Sequence, residues 1–198
     1  MEIINPIEAH DREFYETQIK DWLPDHIIDA HNHAHLKKFY MGDDLWKQNR
    51  GALWPLLAAE ENSVPNIEES YRNLFPDKKV TPLMFGKVSR AFDVEACTNY
   101  VIDECKKRNW PYLYVTRPEW SAQDMQQRIL SSGAKGQYQG VDLDPHMWEI
   151  TDPEADKLTY FTYYQIDAFI QAGLRCGLTK ADFADVFYHN TANLLEIE

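Results

Sequence analysis

The chain alternates between short apolar runs and amphipathic segments. The run Ile27-Ile28 is followed, after an irregular stretch over 37–65, by a helical pattern at Ile67–Phe75 that Pro76 stops. A second run, Lys79–Gly86, precedes the helical pattern of 93–109, and a third, Tyr112–Thr116, precedes a helix that opens at Ser121. Apolar runs bounded by turn signals read as buried strands, and strands that alternate with helices form parallel sheets with crossover helices. This predicts an α/β fold in a single domain, 1–198. In such sheets ligands are bound at the carboxyl ends of the strands.

The helix signals are specific. A first helix is expected over 6–22, with Ile7, Phe14, Ile19 and Trp22 on one face and Pro24 beyond its end. Asp93 sits where an N-cap belongs, and Val94, Cys97, Val101 and Cys105 recur at helical spacing. Ser121 and Asp124 form a capping-box pattern, with Gly133 as the stop. Pro82 marks a weak point or bulge in the second strand, and 134–144 is a candidate fourth strand with Val141 and Leu143 alternating. Two helices close the chain. The first uses Phe161, Tyr164, Ile166, Phe169, Ile170 and Leu174; the second opens at Thr179–Asp182 and buries Phe183, Val186, Phe187, Leu194 and Leu195.

The first apolar run leads directly into histidines. His26, His31, His33 and His35 are four of the chain's seven. Side chains two apart on a strand share a face, so His31 and His33 project together from the carboxyl end of this strand. Neutral imidazole is the commonest side-chain metal ligand, which makes this pair the candidate metal site. His35 reads as a residue beyond the alternation. Arg117 and Glu119 lie after the third run, at an equivalent strand end. Arg117 has the fork geometry to hold a substrate carboxylate, with a surface ion pair to Glu119 as the alternative.

Composition narrows the partners. A net charge of -12 argues against nucleic acid and anionic membrane as partners. No apolar run has the length of a membrane span, and no signal peptide is visible at Met1–Pro6. Cys97, Cys105 and Cys176 lack metal-type spacing and read as reduced thiols. A cytoplasmic protein is expected.

The stretch Ile27-Ile28-Asp29-Ala30-His31-Asn32-His33 resembles the first-strand motif of the amidohydrolase superfamily, the metal-dependent barrel hydrolases, in the branch that also contains decarboxylases. Tyr71–Gly86 is similar to its second-strand region, and Leu113–Pro118 to its third strand. The segment from Gly177 to Leu195, with Asn190-Thr191-Ala192-Asn193-Leu194-Leu195, is similar to its closing helix. The resemblance implies parallel β/α units of a TIM-barrel-like fold. The full barrel takes about 250 residues, so about four strands followed by C-terminal helices are expected here, an incomplete set. A second copy of the chain would then cover the open sheet edges.

The resemblance also implies chemistry. His31 and His33 would hold a divalent metal, zinc by default and manganese as the alternative, that activates water for attack on a small-molecule substrate. The stretch around residue 140 aligns two ways. Gly133-Ala134-Lys135-Gly136 is similar to the approach to the fourth strand, which puts Tyr138 where the family has Lys. Gly140-Val141-Asp142-Leu143 is similar to the segment after the eighth strand, which makes Asp142 the general base and a metal ligand. Asp144, His146, Glu119 or another chain are further sources of a third ligand. Hydrolysis is the expected activity, with decarboxylation or a non-catalytic shortened remnant as alternatives.

Overall fold

The computed structural model describes residues 7–42, 61–88, 91–117, 119–138 and 158–197, with the backbone alone at 158–162, 164 and 165. The order is α1 (Ala9–Phe14), a π-helical turn (Tyr15–Ile19), a 3-10 turn (Lys20–Trp22), β1 (His26–Ala34) and a 3-10 turn (Lys37–Phe39). Then come α2 (Val64–Leu74), β2 (Lys79–Gly86), α3 (Val94–Arg108), β3 (Tyr114–Val115), α4 (Ala122–Ser132) and β4 (Gln137–Tyr138). The end is α5 (Leu158–Arg175), α6 (Lys180–Ala184), a second π-helical turn (Asp185–His189) and α7 (Asn190–Leu195). The fold is mixed α/β, with short parallel sheets and several helices. No described helix is long and apolar enough to cross a membrane.

The strands neighbour one another in chain order. β1 pairs with β2, and β3 pairs in parallel with β4 through Tyr114 opposite Gln137 and Val115 opposite Tyr138. A parallel bridge between Met84 and Tyr112 connects the two pairs, with the Leu113 N–H donating to the Met84 carbonyl at 2.9 Å. β2 has the predicted limits and takes Pro82 within them. β3 is shorter than the run that predicts it, because Tyr112 contributes only the bridge. Of the candidate fourth strand, Gln137 and Tyr138 are observed, and 139–144 lie outside the described residues.

The caps at Asp93 and Thr179 form as the sequence predicts, while at Ser121 only the forward half of the expected capping box forms. Asp93 accepts from the Ala96 N–H at 3.0 Å, and Ser121 accepts from the Asp124 N–H at 3.1 Å. Thr179 accepts from the Asp182 N–H at 3.4 Å, while the Asp182 carboxylate accepts from the Thr179 N–H at 2.7 Å. Each bond satisfies a donor that the first helical turn leaves open. α2 begins earlier than expected, because Ser63 accepts from the Asn66 N–H at 3.3 Å and Pro65 is tolerated in the first turn.

The backbone groups into two compact units. One comprises Met1–Asp29, Glu68–Thr81 and Ile150–Glu198. Its core is Tyr15, Ile19, Leu23, Ile27, Phe75 and Tyr163, with Tyr15 stacked on Tyr163 at 5.5 Å. Tyr15 and Tyr163 are the buried centre that helical spacing did not single out. Val186 and Leu194, expected inside, are exposed at 45% and 81%. Leu194 follows the π-helical turn at Asp185–His189, whose extra residue per turn rotates it off the face that regular spacing assigns, and Val186 lies within that turn. The second unit comprises Ala30–Ile67 and Pro82–Glu149, with a core of Phe85, Val94 and Val115 flanked by Val88, Leu113 and Tyr138.

In the first unit Tyr15 donates a short hydrogen bond to Asp77. Burial would raise the Asp77 pKa, but this bond and the Lys78 and Lys20 charges outweigh it and hold the carboxyl below its usual range. A depressed carboxyl contributes stability that is present above its unfolded pKa and is lost as pH falls. Tyr15→Phe therefore costs about 1 kcal/mol at neutral pH, a modest value because Asp77 is partly in water. Chemical denaturation should show the gap between variant and parent closing below about pH 4. A gap unchanged at about pH 3 contradicts this account.

Candidate metal centre

β1 extends through His31 and His33 and ends at Ala34. His31 is exposed and His33 partly buried, with ring centroids 5.1 Å apart. His35 lies past the end of β1, as expected, and makes an isolated antiparallel bridge to Asn62. Its N–H donates to the Asn62 carbonyl at 2.9 Å, and its carbonyl accepts from the Asn62 N–H at 3.0 Å. The Asn62 side-chain amide donates to the His33 carbonyl at 2.8 Å, which clamps the same backbone a second time.

The His33 ring is oriented by one hydrogen bond. Its Nδ1 lies 2.9 Å from the Gly86 carbonyl oxygen at the end of β2. A carbonyl can only accept, so Nδ1 carries the proton and Nε2 keeps its lone pair. This is the arrangement in which a ligating histidine is held by a second partner. Burial, with smaller contributions from Lys87 and His31, pushes the His33 pKa down to about 4 against the opposing pull of the Gly86 bond. At neutral pH the ring is the uncharged form that a metal requires.

Aromatic rings wall the pair. Phe85 on β2 and Tyr138 on β4 stack at 4.1 Å with an interplanar angle of 16°. His33 meets the Phe85 ring edge-on at 4.4 Å and the Tyr138 ring at 5.3 Å. His31 contacts the same two rings at 5.1 Å and 5.7 Å. Three strand ends therefore contribute to one place. The likeness of Gly133–Gly136 to a fourth-strand approach had already put Tyr138 at a strand end. Phe85 carried no signal, since an aromatic in a buried strand reads as core.

Gly86 permits the close approach of this strand end to α3. A Cβ there would lie 3.2 Å from Cys97 Sγ and 3.3 Å from both the Cys97 carbonyl carbon and the Thr98 nitrogen. Cys97 is a buried, free thiol whose Sγ donates to the Ala34 carbonyl at 3.2 Å and accepts from the Lys87 N–H at 3.3 Å.

The remaining predicted residues are placed as follows. Arg117 directly follows Thr116 past β3 and is partly buried, and its carbonyl accepts from the Trp120 N–H at 3.1 Å. Glu119 is exposed. Asp142, Asp144 and His146 lie outside the described residues. Among the described residues no group of three or more His, Cys, Asp or Glu side chains gathers to hold a metal. Of the candidate ligands, His31 and His33 are the two whose rings the described residues place side by side.

The orientation of His33 is directly measurable. Long-range nitrogen–proton NMR should show Nδ1 protonated and Nε2 bare, with the ring still neutral at about pH 5.5, where an ordinary histidine is mostly charged. A midpoint near the ordinary value, or the proton on Nε2, contradicts the Gly86 bond. Gly86→Ala should cost about 1–3 kcal/mol in denaturation measurements through the contacts with Cys97 and Thr98.

The chain matches no protein-family model, no curated protein and no solved structure. Its likeness to amidohydrolases rests on its own residues.

Proposed function

We propose that the chain is a shortened, TIM-barrel-like metal-dependent hydrolase of the amidohydrolase type that acts on a small molecule. The observation that supports this most is the His33 ring, held by Gly86 with Nε2 free, beside the exposed ring of His31. Sequential neighbouring of β1 to β4 agrees with barrel-type β/α units rather than with a doubly wound order.

His31 and His33 are the residues that would hold the ion, and zinc suits imidazole with carboxylate ligands. Such an ion, when bound, lowers the pKa of a coordinated water to about 7 and polarises a carbonyl. The chain's own residues do the rest. Gly86 holds the His33 ring, and Asn62 holds the backbone at His33 and His35. Phe85 and Tyr138 stand against the rings and bury part of His33. Asp142 is the carboxylate to which the resemblance gives the roles of third ligand and proton acceptor. Arg117, at the end of β3, is the candidate for orienting a substrate carboxylate. The free thiols at Cys97, Cys105 and Cys176 support a reducing, cytoplasmic setting for this activity.

The test is metal analysis of the purified chain after dialysis against zinc, repeated on the His31→Ala/His33→Ala double variant and on Asp142→Asn. Stoichiometric zinc is expected in the parent. It should be lost in the double variant and bound about tenfold or more weakly in Asp142→Asn. A parent that takes up no zinc or manganese refutes the hydrolase reading and leaves the non-catalytic remnant. Release of carbon dioxide from a carboxylic acid substrate, without uptake of water, would assign the decarboxylase alternative.

A further inference from the structure

The two histidines are not equally restrained by hydrogen bonding and burial. His33 is partly buried, and its Nδ1 is held by the Gly86 carbonyl at 2.9 Å. One hydrogen bond fixes one point of a ring and leaves the ring plane free to pivot about it. His31 is exposed. A side chain that samples several rotamers gives up that freedom when it takes a ligand, and the loss weakens binding. Whatever sets the two ring planes beforehand strengthens metal capture.

Two rings, one on β2 and one on β4, set those planes. Phe85 and Tyr138 lie nearly parallel, 16° apart with centroids at 4.1 Å. Both imidazoles stand close to perpendicular to this stack. His33 makes angles of 81° with Phe85 and 84° with Tyr138, and His31 makes 88° and 81°. The centroid separations run from 4.4 Å to 5.7 Å, close to the spacing at which edge-to-face rings attract. Contact with two parallel rings at once resists tilting of either imidazole.

Phe85 and Tyr138 differ in what else they do. Phe85 is 1% exposed and belongs to the core with Val94 and Val115, so it serves the fold first. Tyr138 is partly buried, at the end of the two-residue strand β4. Its backbone is fastened to β3: the Tyr138 carbonyl accepts from the Thr116 N–H at 3.0 Å, and the Gly136 carbonyl from the Tyr114 N–H at 2.9 Å. The other residue of β4, Gln137, is exposed, so Tyr138 is the side chain that this strand brings to the histidines.

We propose that Tyr138 is a positioning residue whose ring, not its hydroxyl, sets the planes of His31 and His33 before a metal arrives. Its service to catalysis rests on the hydrolase reading; the ordering of the two imidazoles does not.

The experiment compares Tyr138→Leu and Tyr138→Phe with the parent, all as full chains. Zinc affinity is read by competition with a chromophoric chelator, and ring order by carbon-13 relaxation of the histidines without metal. Zinc affinity should fall about tenfold or more in Tyr138→Leu with melting temperature retained, and Tyr138→Phe should recover most of the loss. Order parameters of both imidazoles should lie above about 0.6 in the metal-free parent and fall below it in Tyr138→Leu. The His33 Nδ1 proton should stay in place in Tyr138→Leu, because Gly86 still holds it; a general loosening of the strand end would release it as well. Parent-like affinity or ring order in Tyr138→Leu, a Tyr138→Phe as weak as Tyr138→Leu, or loss of the Nδ1 proton in Tyr138→Leu would each overturn the proposal. Should Tyr138→Leu not fold, ring order in the parent decides the matter, and mobile imidazoles there overturn it. Zinc uptake that Tyr138→Leu leaves unchanged removes the positioning role and leaves the hydrolase reading. Ring order that depends on Tyr138 in a chain that takes up no zinc removes that reading and leaves the positioning role.

Discussion

One hydrogen bond, from His33 Nδ1 to the Gly86 carbonyl, joins the local structure to the proposed chemistry. It ties the end of β1 to the end of β2. It also fixes which imidazole nitrogen is bare, because a carbonyl cannot donate. The bond depends on a strand end that carries no side chain at position 86, since a Cβ there would press on Cys97 and Thr98 in the first turns of α3. Asp93 in turn caps that helix and sets where its first turn lies. An N-cap, a glycine and a buried thiol thereby orient one histidine.

Much of this was readable from residue types. β1, β2, α3 and α4 follow from apolar runs and capping residues, because those signals act within a few residues of chain. The pairing of His31 with His33 follows from the period of a strand. What was not readable depends on distant contacts or on departures from regular geometry. Phe85 and Tyr138 lie on different strands, and their stacking is a product of sheet order. Tyr15 and Tyr163 meet across most of the chain's length, and each polar tip has a partner, Asp77 and the Leu74 carbonyl. Leu194 is exposed past a π-helical turn that no spacing rule anticipates, and Val186 lies within that turn. His35 lies past the end of β1, and its bridge to Asn62 depends on a distant stretch of the chain.

The electrostatics of the site have one direction. Burial keeps the His33 and His35 rings uncharged, and the nearby Lys87 charge acts the same way.

The central claim is that His31 and His33 are metal ligands. X-ray absorption spectroscopy of the zinc-loaded chain tests it most directly. The account predicts two imidazole nitrogens at about 2.0 Å with oxygen completing the shell. A shell with sulfur at about 2.3 Å, or a zinc spectrum unchanged when both histidines are replaced by alanine, would contradict it.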